Sequence, residues 1–267
     1  MVTEISAQAV KELREATGAG MMDCKRALQE TAGDFQAART LLREKGMAAA
    51  GKRAGRATSE GVVEASLEGG VAVLVGIGCE TEPVSKNDAF RAFAASALAA
   101  VRAEGPGALE GFEGERVELV AQLGENIVVV GATRYEGGTL AAYVHPPARK
   151  IGVLVQLEGG TDELARLLAM HIAFAAPDYT ARGDIPAAIV EAERNVYLNS
   201  DEVCSKPEAA RDKIVNGMLA KRFFAASPGG ALLEQAWIHD ASKTVGTALA
   251  DAGAAVTSFV RISVAGS

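Results

Sequence analysis

Apolar residues recur along this chain with two different periods, and the change of period marks out the elements. Val71, Val73, Val75 and Ile77 alternate within an uncharged run closed by Gly78, which predicts a strand. Beyond Lys86 the period lengthens. Phe90, Phe93, Ala94, Ala97 and Val101 share one face of a predicted helix. Between them, residues 79–86 form a polar tip carried on two rigid elements, a placement that favours binding chemistry.

The same pattern returns downstream. Residues 151–157, IGVLVQL, predict a second apolar strand, and Leu164, Leu167, Leu168 and Ile172 line a helix over 161–176. Each strand has an upstream partner: 61–67 across the Glu68-Gly69-Gly70 turn, and 139–145 before Ile151. Each unit then closes as helix, glycine, strand, over 116–135 and again over 243–264. The chain therefore reads as α+β, with two repeated antiparallel-sheet-plus-helix units side by side on a shared core.

In front of these units lie three short predicted helices. Ile5, Ala9, Leu13 and Ala16 line the first; Met21, Cys24, Ala27 and Leu28 the second; Phe35, Ala38, Leu41 and Leu42 the third, with Asp34 as its cap. They predict a small bundle over residues 1–45. Two adjacent methionines, Met21 and Met22, cannot both enter its core from one turn, so one is expected inside and the other free. Residues 46–58, Gly/Ala-rich and basic at Lys52, Arg53 and Arg56, read as a solvated linker. Gly46, Gly51 and Lys52 imitate a phosphate-binding loop, but Arg53 stands where Ser or Thr is needed and a helix precedes the motif.

The first unit spans 59–136 and the second 137–183 with 228–267, interrupted by an insertion over 184–227. There Ile189, Ala192, Val196, Asn199 and Val203 give a loose heptad, and Ile214, Met218 and Lys221 begin a return arm after Ser205-Lys206-Pro207. An antiparallel, coiled-coil-like helical hairpin is the expectation.

Composition narrows the function classes. Hydrophobic residues make up 49% of the 267, enough for a packed core, and the net charge of −7 disfavours nucleic acid as the main partner. No apolar run is long enough to cross a membrane, and the first residues do not read as a secretory signal. Three cysteines, Cys24, Cys79 and Cys204, lie far apart with no paired spacing, so no zinc site or disulfide framework is indicated and a reducing cytoplasm is the simplest setting. Only three histidines are present, with no nucleophile constellation around them. His171 lies on an apolar helix face and reads as a core residue, and His239 is isolated. No catalytic residue, metal or cofactor is expected.

The stretch VKELREATGAGMMDCKRAL, residues 10–28, resembles the N-terminal signature of the bacterial translation elongation factor Ts family, and Ser242-Lys243-Thr244-Val245-Gly246 is similar to a second family segment. The resemblance covers nearly the whole chain. It implies that the first module is like a ubiquitin-associated three-helix bundle and docks on the GTPase elongation factor Tu through Arg14, Met21 and Met22. It also implies that Thr81, Glu82, Pro83 and Val84 reach the magnesium region of Tu, and that His145 lies near the partner surface. An exposed loop histidine is an equal reading for His145, as is simple core-filling for the methionine pair. The family's tip resembles Thr-Asp-Phe-Val. Here Glu82 keeps the carboxylate, whereas Pro83 lacks the aromatic wedge and also suits a plain helix start. The implied function is guanine nucleotide exchange on Tu by a binding protein, not an enzyme. A relative that binds Tu as a scaffold or chaperone with weak exchange is the alternative; a small-molecule enzyme is suggested only by the imitation phosphate loop.

Overall fold

The computed structural model describes residues 5–265, the side chain of Ala49 excepted; residues 1–4 and 266–267, which the sequence reading assigned to the ends of the first module and second unit, lie outside the described residues. Three helices come first: α1 (Ala7–Thr17), α2 (Met21–Glu30) and α3 (Phe35–Arg53). Ser6 caps α1 by accepting from the Ala9 N–H, and Asp34 caps α3 by accepting from the Ala37 N–H, so each side chain satisfies an otherwise unpaired amide. Val10, Leu13, Cys24, Ala27, Leu28 and Ala38 form the buried centre of the bundle. Burial also pushes the Cys24 thiol up, chiefly by desolvation.

The linker expected over 46–58 is helical as far as Arg53. Gly46 is a contact point there. A Cβ on it would lie 2.8 Å from the Ala121 Cβ, and Ala50 is buried in the core of the first unit. The bundle is thus carried on a continuous helix that lies against α6 (Glu113–Leu123).

The first unit continues with strands β1 (Glu60–Glu68) and β2 (Val71–Cys79), a single-turn helix α4 (Glu82–Ser85), helix α5 (Asp88–Glu104), α6 and strand β3 (Ile127–Glu136). The three strands form an antiparallel sheet in the order β1-β2-β3. The second unit has β4 (Thr139–Val144), β5 (Ile151–Glu158) and α7 (Asp162–Ala175); after an insertion, α11 (Val245–Asp251) and β6 (Ala255–Ser263) complete the antiparallel sheet β4-β5-β6.

Each central strand is buried on both faces, which is why both read as largely apolar runs, broken only by Gln156 in β5. Val73, Val75 and Ile77 of β2 meet Phe90, Phe93 and Ala97 of α5, while Ala72 and Leu74 face the second sheet. Val153, Val155 and Leu157 of β5 likewise meet α7, and Leu154 joins Val63, Leu74, Leu140 and Ile262 in the shared core. Glycine lets the sheets approach. A Cβ on Gly152 would fall 2.4 Å from Val63 Cγ1, and one on Gly76 would fall 2.5 Å from Ile262 Cγ2. The layers run helix, sheet, sheet, helix.

The insertion holds α8 (Ala187–Leu198), α9 (Asp201–Cys204) and α10 (Glu208–Met218), the last running into a wider turn over Leu219–Phe224. Its seam differs from the expected heptad by one residue. Val190, Tyr197 and Leu198 face Val215 and Met218, whereas Ile189 and Val196 are exposed. Val203, the last position of the expected heptad, is buried in the same cluster but belongs to α9, because α8 ends at Leu198. Arg194 bridges α8 to α10 by donating to Asn216 and Asp212.

Candidate functional site

The tip between β2 and α5 is held from below by a reciprocal brace. The Glu125 carboxylate, just beyond α6, accepts from the backbone N–H groups of Glu80 (3.0 Å) and Thr81 (2.9 Å) and from the Thr81 hydroxyl. In return the Glu80 carboxylate accepts from the Asn126 N–H at 2.7 Å, and the buried Asn126 amide donates to the Arg56 carbonyl at 2.8 Å. Two carboxylates thus satisfy backbone groups across 45 residues of sequence, an arrangement that fixes the loop more firmly than either bond alone.

On this base Thr81, Glu82 and Pro83 are exposed. Thr81 takes the N-cap position of α4, yet its hydroxyl serves Glu125 and not the helix. Pro83 falls in the first turn, where its missing N–H costs nothing. Val84 is half-buried and packs on the first core, so it also anchors the tip. Ser85 is buried, and its hydroxyl donates to the Glu82 carbonyl at 2.8 Å. Asn87 caps α5. Lys86 pairs with Glu82, and that hydrogen bond lowers the Glu82 carboxyl below its ordinary value. Cys79 is buried beneath the tip. Burial first, then Glu125 and Glu60, push its thiol up to about 12, so it stays protonated and donates to the Thr81 carbonyl.

The other sequence-derived residues lie elsewhere. Arg14 is exposed on α1, and Met21 and Met22 open α2, 50% and 61% exposed. The expectation that one methionine enters the core is corrected: the buried face of α2 begins a turn later, at Cys24. His145 is exposed just past β4, where its Nδ1 lies 2.9 Å from the Tyr143 hydroxyl and its N–H donates to the Ile151 carbonyl.

His171 is fully buried. Its Nδ1 accepts from the Ile238 N–H, which makes Nε2 the donor to Gln235 Oε1 at 2.9 Å, and its ring stacks on Trp237. Burial holds it below its ordinary pKa, neutral and satisfied. His239 is not isolated: it stands edge-on to Trp237, with Nε2 3.0 Å from the Leu167 carbonyl.

Among the described residues no group of three His, Cys, Asp or Glu side chains is placed to hold a metal, and no helix is long and apolar enough to cross a membrane. Sequence reasoning missed Glu125 and Asn126, and also Arg91 of α5, whose Nε donates to the Ser85 carbonyl at the end of α4. A single carboxylate after Gly124 carries no local signal of a partner so distant in sequence.

Comparison with known proteins bears on the whole chain. Residues 80–266 match the family described as Elongation factor TS. The protein named Elongation factor Ts of Alkalilimnicola ehrlichii is 42% identical over 97% of this chain and 92% of its own length. Those of Photorhabdus laumondii, at 41% over 97% and 92%, and Psychromonas ingrahamii, at 42% over 99% and 92%, are similar in the same way. An exposed, doubly braced tip on a paired α+β scaffold, matched along nearly its full length by such relatives, makes this chain a member of the elongation factor Ts family.

Proposed function

We propose that this protein binds the GTPase elongation factor Tu and promotes GDP release by favouring the nucleotide-free state, in the cytoplasm, as a binding protein and not an enzyme. The observation that carries the reading is the tip. Thr81, Glu82 and Pro83 stand exposed on a loop that Glu80 and Glu125 hold rigid. A rigid projection can penalise one state of a partner and accept another, whereas a soft loop would yield to both. The mechanism is linkage: the factor shifts Tu only by its differential affinity, and GDP must weaken the factor by the same ratio. A hundredfold coupling corresponds to about 2.7 kcal/mol.

On this reading residues 1–45 are the docking module, gripping Tu through Arg14, Met21 and Met22 regardless of nucleotide state. The first unit over 59–136 presents the tip, with Val84 as its anchor. The second unit, 137–183 with 228–267, adds His145, and the hairpin over 184–227 is a separate insertion.

Pro83 favours a second reading, a Tu-binding scaffold with weak exchange, because the tip presents no aromatic ring. One experiment separates them. Pro83→Phe should raise the rate of GDP release from the cognate Tu, followed by stopped flow with fluorescent GDP. No change, or a loss, would mean that the tip does not act as a wedge. Equal affinity of the native factor for GDP-bound and empty Tu, measured by calorimetry, would sink the exchange reading itself.

A further inference from the structure

A chain of charged side chains runs from the tip to the loop that carries His145. Arg91 of α5 donates through Nε to the Ser85 carbonyl, at the end of α4, at 2.6 Å, and its Nη1 pairs with Glu64 Oε1 at 3.4 Å. The second oxygen of Glu64 accepts from Arg149 Nη2. Arg149 in turn donates its N–H to the His145 carbonyl at 3.1 Å and accepts from the Val63 N–H at 2.7 Å. Glu64 sits in β1 of the first unit and Arg149 in the loop between β4 and β5 of the second. The link therefore crosses between units.

Two features show that the loop is held in place at a cost. Arg149 has φ +54°, in the left-handed region that a non-glycine residue adopts rarely. Its Nε is buried without a hydrogen-bond partner. A glycine there would relieve the backbone; an arginine keeps the pair with Glu64. Such a local expense points to a functional constraint.

We infer that Glu64 and Arg149 are positioning residues, a clamp that fixes the His145 loop relative to the Thr81–Pro83 tip so that the two meet the GTPase as one rigid surface. This rests on the exchange reading above. Neither residue need touch the partner. A clamped pair of contacts is made or broken together, so loss of one contact should weaken the other, whereas two independent contacts should act separately.

The test is a double-mutant cycle on GDP release from Tu, with Pro83→Ala and His145→Ala, run in the native background and in Arg149→Gly and Glu64→Gln. Arg149→Gly removes the pair while relaxing the backbone, and Glu64→Gln keeps shape while removing charge. Thermal midpoints and Val63 amide exchange report whether either variant disturbs folding. In the native background the double variant should differ at least fivefold from the product of the single effects. In both clamp variants the effects should multiply. The clamp is refuted if the effects multiply in the native background, if only one of the two positions matters, or if the coupling survives in the clamp variants. If neither Pro83→Ala nor His145→Ala changes GDP release in any background, it is the exchange reading that has failed.

Discussion

The two α+β units solve the same packing problem and differ at the same joint. In the first, strand β2 reaches α5 through eight residues, 80–87, that rise as a braced tip. In the second, β5 reaches α7 through Gly159, Gly160 and Thr161 alone, and Thr161 simply caps the helix by accepting from the Leu164 N–H. The second unit takes its extra chain behind α7 instead, where Gln235 ties the returning segment down. Its amide donates to the carbonyls of Ala175, Ala226 and Gly229, and its oxygen accepts from His171. One scaffold thus carries two elaborations, and each is secured by a polar side chain that satisfies backbone groups from afar. The tip's anchor is half open to solvent; the insertion's anchor is sealed inside.

That difference should be measurable. Gln235→Leu should do the most damage to folding, because it leaves the buried His171 ring without its Nε2 partner and takes a donor from the carbonyls of Ala175, Ala226 and Gly229. A loss of about 3 kcal/mol is expected, roughly 6–12 °C in the thermal midpoint, seen by calorimetry. GDP release per folded molecule should hold, since the tip belongs to the other unit. Glu125→Ala should do the reverse. Water can replace the lost bonds, so the midpoint should fall only slightly, while stimulation of GDP release drops about tenfold, the scale of a lost charged hydrogen bond. A large melting shift with intact exchange would erase the contrast between the two anchors.

The smallest effect concerns pH. Burial depresses the His171 pKa below its ordinary 6.5, so the folded state resists protonation that the unfolded chain accepts. Its contribution is complete above pH 6.5 and declines as pH falls from there towards the folded-state value. Thermal midpoints should therefore decline below pH 6.5, and the decline should be shallower in His171→Gln. Equal slopes would place the acid sensitivity elsewhere.

Much of the scaffold was legible because local pattern and tertiary environment agree. The unbroken apolar run at 71–77 reflects a strand covered on both faces, and Asp34 caps α3 as its position suggests. Pro83 sits in the first turn of α4, consistent with its helix-start reading. What escaped depends on partners remote in sequence. Glu125 gains its role only when β3 pairs with β2, Ile127 opposite Cys79, and brings the turn after α6 beside the tip. Residues 46–53 read as linker because the neighbour that Gly46 packs on, Ala121, is 75 positions away. The hairpin seam was misplaced by one residue along α8, although Val203 of α9 is buried in it as the heptad suggests. Met21 follows the helical spacing of the core, but that core does not reach the first turn of α2.

The continuous run of α3 from the bundle onto α6 changes how a partner would meet this molecule. A bundle on a loose tether would search space and lose that freedom on capture. On the proposed docking reading, Arg14, Met21 and Met22 ride on a module that α3 joins to the body without a break, so first contact at one end would already aim the other.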